Sequence, residues 1–454
     1  MFSKNSAWRY LWKSEDIRRK LIVTLIILVI YRIAANVRVP GIDVGMLETL
    51  RNAIGSGGNF LQFLDLLSGG TVSSFSLLAM GVYPYITAQI IIQLLIPIIP
   101  SWQKRMEENP TEGRKWMEKM TYYLTIPMAA LSAIGQINIF NSLTRQYGLG
   151  DVLPFGFTAD LWLSSLTALL SMMAGTMFAI WLGEMISEYG IRRQGLSLII
   201  FAGIVSQMPT NFLRLLADEQ FGWILVVAML VIMVLVIFAI VYVQQGRRNV
   251  LVMYPGRRVG NRMSMPVKAP LPLMVTMAGM IPLIFASALL QFPAIVASYF
   301  VNSGTEWVAQ AAVGIQNTFS STGTNNWVYW LMYFLLVVVF TFFYTDVLFT
   351  QQNYGENLKR MGAHIPGVTQ GPATQRYLTK VQRRITLPGA LFLGFVAILP
   401  FLITLVLPAA ASGAGVFLVS SAGLLIIVGV VRDTFTSIDA ELKLHGYQDS
   451  ILVK

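Results

Sequence analysis

Val82, Ile86, Gln89 and Gln93 stand four, three and four residues apart, which at about 100° per residue sets them on one stripe of a helix. Ile200, Ile204 and Gln207 repeat the arrangement, and Ile284 and Gln291, seven apart, share a face of a third helix. Branched aliphatic side chains meeting at a narrow point exclude water and ions by dewetting, yet they can part around a passing object. The chemistry on offer is that of a gasket. Each residue also has an ordinary use: Ile and Val face lipid or pack a neighbour, and a Gln makes an interhelical hydrogen bond of about 0.6–2 kcal/mol. Recurrence on three helices sets the gasket level with those ordinary uses.

Bond-making chemistry has little to stand on. The two histidines, His364 and His445, fall in a loop and a tail, and the chain has no HExxH pattern, no cysteine and no GxxxxGK[ST] loop. No cofactor, metal or nucleotide site is expected. Glu184, Asp346 and Asp433 lie near the ends of apolar runs, away from the mid-membrane position that a proteolytic carboxylate pair requires.

The elements that position these residues are apolar helices in lipid. Hydrophobic residues make up 55% of the 454-residue chain and charged residues 12%, with a mean hydropathy of +0.62. Ten apolar runs are expected to span a bilayer, near 21–39, 76–99, 120–143, 162–186, 196–217, 221–243, 272–300, 327–350, 385–407 and 413–431. The fifth is interrupted by Gln207, Pro209 and Asn211. Met1–Lys20 lacks the apolar core and small-residue cleavage site of a signal peptide, so the amino terminus is expected to stay attached.

Charge sets the orientation. Segments sharing one side hold 28 of the 33 Lys and Arg residues, and the positive-inside bias makes both termini cytoplasmic. The second span then runs inward and the fifth and seventh run outward, which puts Gln93 on the cytoplasmic side of its Ile and Gln207 and Gln291 on the other. Seven residues of helix separate Ile86 from Gln93, about 10 Å. The expected profile is an apolar waist between two polar funnels.

Phe60–Leu67 (FLQFLDLL) is too short to cross a bilayer and is joined through Ser68, Gly69, Gly70 and Thr71 to a run that can. A helix ending inside hydrocarbon leaves backbone groups unpaired, which is tolerated only beside protein or a water-filled cavity. Either this piece enters and stops over such a cavity, or it is a loop capping a bundle. Two inside loops are longer than a helix connection needs: 244–271, with Arg247, Arg248, Arg257, Arg258, Arg262 and Lys268, and 350–384, with Lys359, Arg360, Arg376, Lys380, Arg383 and Arg384. They serve either as contacts to anionic lipid or as a platform for a large acidic partner. Tyr254, Pro255 and Gly256 suggest a turn at the tip of the first loop.

The runs SLLAMGVYPYITAQIIIQLL (76–95), GTMFAIWLGEMISEYGI (175–191), SLIIFAGIV (197–205), MAGMIPLIFAS (277–287), ENLKRMGAHIPGV (356–368) and RITLPGALFLG (384–394) resemble the SecY family, central subunits of the bacterial Sec protein translocase. The resemblance implies an all-α integral membrane protein of the bacterial inner membrane. Its ten transmembrane helices form two halves, 1–218 and 219–454, around an hourglass pore, with a half-inserted plug at about 60–74. It implies a channel that passes unfolded secretory chains and releases hydrophobic segments sideways into lipid. On matching positions the pore ring falls on Val82, Ile86, Ile200, Ile204, Ile284 and Ile426, and the plug on Phe60, Leu64, Asp65, Leu67, Gly69, Gly70 and Ser73. The lateral gate, between the second and seventh spans, carries Thr87, Gln93, Ser287 and Gln291, with Pro84, Pro282 and Pro293 favouring bends beside it. Docking falls on Arg247, Arg248, Arg257, Arg258, Lys359 and Arg360. The implied partners are SecE, SecG, the SecA ATPase, the ribosome with its nascent chain, signal sequences and anionic lipid.

One position departs from the family. Where PGIRPG is usual, this chain reads Pro366, Gly367, Val368, Thr369, Gln370, Gly371, so Thr369 replaces the loop arginine. The rival classes are a secondary transporter, which would bury ionisable groups at mid-membrane, and a scaffold with no pore.

Overall fold

The computed structural model describes residues 14–43, 45, 75–96, 98–146, 150, 153–156, 161–192, 194–216, 222–255, 258–259, 262–263, 267–298, 300, 305–319, 326–406 and 421–444. The expected plug, Phe60–Ser74, lies outside the described residues, as does His445.

Among the described residues ten helices overlap the ten apolar runs, the tenth of them only over 421–431: α1 (Glu15–Ala34), α2 (Tyr83–Leu95), α4 (Pro110–Gln146), α5 (Trp162–Tyr189), α6 (Gly195–Leu216), α7 (Gly222–Gln245), α8 (Ile281–Ser298), α10 (Asn326–Gln351), α12 (Pro372–Val406) and α13 (Ser421–Leu444). Short helices α3 (Pro100–Glu108), α9 (Glu306–Thr318) and α11 (Tyr354–Arg360) connect them. Among the described residues three helical stretches are each long and apolar enough to cross a membrane, Trp162–Tyr189, Trp327–Arg360 and Pro372–Leu399. Tyr83–Leu95 passes together with Pro100–Met106, across a bend of 100°.

Several boundaries differ from the sequence expectation, each for a local reason. The second run does not begin as helix: residues 75–82 form turns, with Phe75 and Gly81 at positive φ, and the helix starts at Tyr83 with Pro84 in its first turn. Proline belongs there because the amide it lacks has no intrahelical partner, so Pro84 sets a start rather than a bend. Pro282 does the same one residue into α8; Pro293 alone of the three lies inside its helix. Helix α6 continues through Pro209, so the polar interruption read there does not break it. The third and ninth runs reach beyond the apolar stretch as helices on the basic side, and α9 occupies a stretch expected to be loop.

The first long basic loop is a β-hairpin. Strand β1 (Arg247–Tyr254) pairs antiparallel with β4 (Val267–Met274), from Arg247 opposite Met274 to Tyr254 opposite Val267. This strand also claims residues 272–274, which the seventh run had included. Beyond it, β2 (Arg258–Val259) pairs with β3 (Arg262–Met263). The tip therefore falls between Val259 and Arg262, not at Tyr254–Gly256. A second, separate two-stranded ladder beyond Pro255 carries the turn outward.

Hairpin and second basic loop pack as one unit. Val250, Val252 and Leu273 share a buried apolar cluster with Phe349, Leu358, Ile365, Leu378 and Val381. Met253 and His364 exchange backbone hydrogen bonds of 2.8 and 2.9 Å, which ties an exposed histidine to the hairpin by its main chain. Gln382 donates to the Met274 carbonyl at 3.0 Å, fixing the hairpin base to α12.

Helices α1, α5 and α6 pack together, as do α2 with α4 and α10 with α12. Contacts between the first five long helices and the last five run through α8 against α2 and α4, α13 against α6, and α7 against α6. On the basic side, Lys20 of α1 and Glu441 of α13 form an ion pair at 2.8 Å, with Arg192 at 3.7 Å from the same carboxylate oxygen.

Candidate functional site

Val82, Ile204, Ile284 and Ile426 are buried in one apolar cluster, and Ile86 and Ile200 pack against it. The six residues come from four separate places in the chain: the turn before α2 and its first helical turn, the first half of α6, the start of α8 and the start of α13. Val82 occupies the N-cap position, so the Val82–Ile86 stripe crosses the helix start. Ile284, the most exposed of the four buried members, is 8% accessible, and Ile86 and Ile200 are half-buried.

The flanking glutamines are only partly described. On α2, Gln93 keeps a buried Oε1 that accepts no hydrogen bond among the described residues, while its carboxamide lies beside the Tyr344 hydroxyl of α10. The side chains of Gln207 and Gln291 lie outside the described residues. Of the carboxylates near helix ends, Glu184 accepts from the Tyr122 hydroxyl, Asp346 takes a bidentate contact from Arg383, and Asp433 pairs with Arg432 at 2.8 Å. Each is committed to a neighbour at the margin of the bundle.

Along the seam between α2 and α8 the hydroxyls named in the sequence turn back on their own helices. Thr87 donates to the Tyr83 carbonyl at 3.0 Å and Ser287 to the Ile284 carbonyl at 2.9 Å. Helical Ser and Thr commonly do this, because it satisfies the hydroxyl locally. What crosses the seam is the Tyr83 hydroxyl, which donates to the Ala288 carbonyl at 3.4 Å. Around it Ile90, Ala278, Phe285, Ala288 and Tyr344 form a buried cluster, with the Phe285 and Tyr344 rings edge to face at 5.6 Å. Sequence reasoning passed over Tyr83 and Phe285 because apolar and aromatic residues fill every span. Their only sequence signal is their place directly after a ring residue, Val82 and Ile284.

The basic residues separate by position. Arg247 and Arg248 are exposed at the base of the hairpin, in register with Met274 and Leu273. Arg258 lies near its tip, with a side chain outside the described residues, as Arg257 is wholly. Lys359 and Arg360 are exposed at the end of α11, where Arg360 pairs with Glu356 at 2.9 Å. Thr369 is exposed in the same unit, and its carbonyl accepts from the Thr374 hydroxyl at 2.8 Å.

A bundle of apolar helices joined by buried apolar clusters and carrying a basic hairpin unit defines a polytopic helical membrane protein. The SecY family model matches residues 76–435, and the chain belongs to the SecY family. A protein translocase subunit SecY of Chlamydia trachomatis serovar D is 34% identical over 462 aligned residues, covering 98% of each chain. One from Escherichia coli K12 is 33% identical over 441, covering 96% of this chain and 94% of that one. Among solved structures, "The structure of a protein conducting channel" shares the fold with a TM-score of 0.61 at 19% identity, covering 95% of this chain and 94% of that one. A second SecY structure, concerned with the plug domain and the closed state, gives 0.59 at 20% identity over the same shares.

Proposed function

We propose that this chain is a protein-conducting channel of the bacterial inner membrane, passing unfolded secretory polypeptides through its centre and hydrophobic segments sideways between α2 and α8. The observation that carries the reading is the convergence of Val82, Ile86, Ile200, Ile204, Ile284 and Ile426 on one apolar cluster. Aliphatic side chains on four independent backbone segments give a seal that has no hydrogen bonds to break, so a translocating chain opens it by displacing methyl groups. The two halves, 1–218 and 219–454, then part along α2 and α8, which meet through one long hydrogen bond and the Phe285 cluster. Phe60–Ser74 serves as the outer plug.

Both termini and the hairpin unit face the cytoplasm in this reading. The unit offers Arg247, Arg248, Arg257, Arg258, Lys359 and Arg360 to a SecA-type ATPase or to ribosomal RNA, and anionic lipid headgroups surround its base. SecE- and SecG-type small subunits brace the bundle, and energy comes from the bound motor. Family membership supports each of these assignments. The chain carries out no catalysis of its own.

Reconstitution tests the reading. The purified chain, placed in liposomes with its small subunits, a SecA-type motor, ATP and a signal-bearing precursor, is expected to convert the precursor to a protease-protected form. Liposomes that bind the motor and protect no precursor would overturn it.

A further inference from the structure

The two edges of the β1–β4 hairpin are finished differently. Met253 exchanges main-chain hydrogen bonds with His364 and not with Lys268 opposite it, while the Gly246 carbonyl accepts from the Val275 amide at 3.0 Å. Antiparallel pairing alternates, so Arg247, Asn249, Leu251 and Met253 turn their main-chain groups away from β4, and Lys268, Pro270, Pro272 and Met274 turn theirs away from β1. The β4 edge is closed over 270–274. Pro270 and Pro272 have no N–H to offer, and the Met274 carbonyl already accepts from Gln382.

The outer edge of β1 is closed only at its far end, by His364. Among the described residues nothing pairs with the outward amides of Asn249 and Leu251. Both residues are exposed, Leu251 by 47%, while Val250 and Val252 hold the opposite face of the strand in the buried cluster with the second basic loop. The strand is thereby fixed in place with one edge bare. From Arg247 to Leu251 that edge runs about 13 Å, the length of a strand of about five residues. A row of unpaired N–H and C=O groups is a template for another extended chain. Arg247 and Arg248 are exposed at its start with no acidic partner among the described residues, so the edge repels a second copy of itself and attracts a strand that carries carboxylates.

We propose that β1 accepts a third strand from an acidic, extended peptide segment of a cytoplasmic protein, bonded main chain to main chain at Asn249 and Leu251, with a carboxylate beside Arg247 and an apolar side chain beside Leu251. A nucleic acid would use the arginines and leave the amides unpaired. That the partner is cytoplasmic rests on the channel reading; that it adds as a strand does not.

The test is fluorescence anisotropy of a labelled hexapeptide, acetyl-VTVTEE-amide, with the full-length chain in detergent. The wild type is expected to bind it and to discriminate between two N-methylated forms, one methylated at the first, third and fifth residues and the other at the second, fourth and sixth. An added strand bonds along one edge only, so one form is expected to lose binding and the other to keep it. L251P removes an outward amide and takes nothing from the ladder, because Leu251 stands opposite Pro270, and it is expected to weaken binding about tenfold. R247Q/R248Q is expected to weaken it about threefold. Equal binding of the two methylated forms would overturn the proposal, and so would wild-type affinity in L251P. No binding of the hexapeptide up to millimolar concentration would also overturn it, and binding of a polyuridylate oligonucleotide in its place would assign the edge to nucleic acid. The methylation comparison uses the wild-type chain alone, so it decides even where L251P lowers the unfolding temperature. None of these readouts depends on translocation, so failure here and failure of the channel reading are distinguishable.

Discussion

The hydroxyl of Tyr83 donates to the backbone carbonyl of Ala288 at 3.4 Å, joining the first turn of α2 to the middle of α8 across 205 residues of sequence. The distance is long for a bond from a hydroxyl, and interhelical hydrogen bonds in membranes average about 0.6 kcal/mol, so it closes the seam weakly. A greasy signal segment can replace that contribution with its own packing. Y83F is accordingly expected to ease opening by about threefold, seen as increased export of a reporter with a defective signal sequence. Unchanged export would show that the apolar Phe285 cluster holds the seam alone.

In the proposed channel, the buried cluster around Ile204 and Ile284 makes a seal sensitive to polarity more than to volume. I204N and I284N each put a carboxamide among methyl groups, where water entering to solvate it shortens the dry barrier. Ion flux through reconstituted liposomes without precursor is expected to rise in both variants. I204L and I284L keep apolar volume and are expected to stay tight.

Gly175 of α5 lies against the carbonyl of Leu77, and a methyl group there would overlap that backbone oxygen. The carbonyl belongs to the 75–82 turn, whose Leu77 amide donates to Val37 at 2.8 Å, so it has little freedom to retreat. G175V is expected to cost at least about 1–3 kcal/mol by overpacking, measured as a lower unfolding temperature in detergent. It is also expected to shift Val82, the last residue of that turn.

Lys20 and Glu441 pair at 2.8 Å with side chains 24% and 17% exposed, linking the first described helix to the last. Partial burial raises the pair above the surface range while leaving some screening, so a coupling of about 1 kcal/mol is expected. A double-mutant cycle with K20Q and E441Q, read by thermal unfolding, checks it. Arg192, 3.7 Å from the same carboxylate oxygen, is expected to reduce the loss in K20Q.

How much of this was legible in the sequence follows from what periodicity encodes. Ile86, Ile204 and Ile284 announce themselves by their spacing to a glutamine, because a helix repeats every 3.6 residues whatever it packs against. Ile426 carries no such mark and came only with the family resemblance. The contact of Tyr83 with Ala288 depends on the register of two helices far apart in sequence, which spacing within either one does not contain. The hairpin hides differently. Val250 and Val252 do alternate as a half-buried strand does, but paired arginines before them and Pro270 and Pro272 in β4 suggest loop. It is the apolar cluster with Leu358 and Leu378 that makes strands of these residues.

The central claim is that a polypeptide passes through the cluster formed by Ile86, Ile204 and Ile284. Precursor arrested midway, carrying a single photoreactive or cysteine-reactive residue at the arrest point, is to be presented to I86C, I204C and I284C channels, with exposed lipid-facing Leu235 as L235C for comparison. The account predicts crosslinks to all three ring positions and none to L235C. Crosslinks confined to L235C or to positions away from the ring would contradict it.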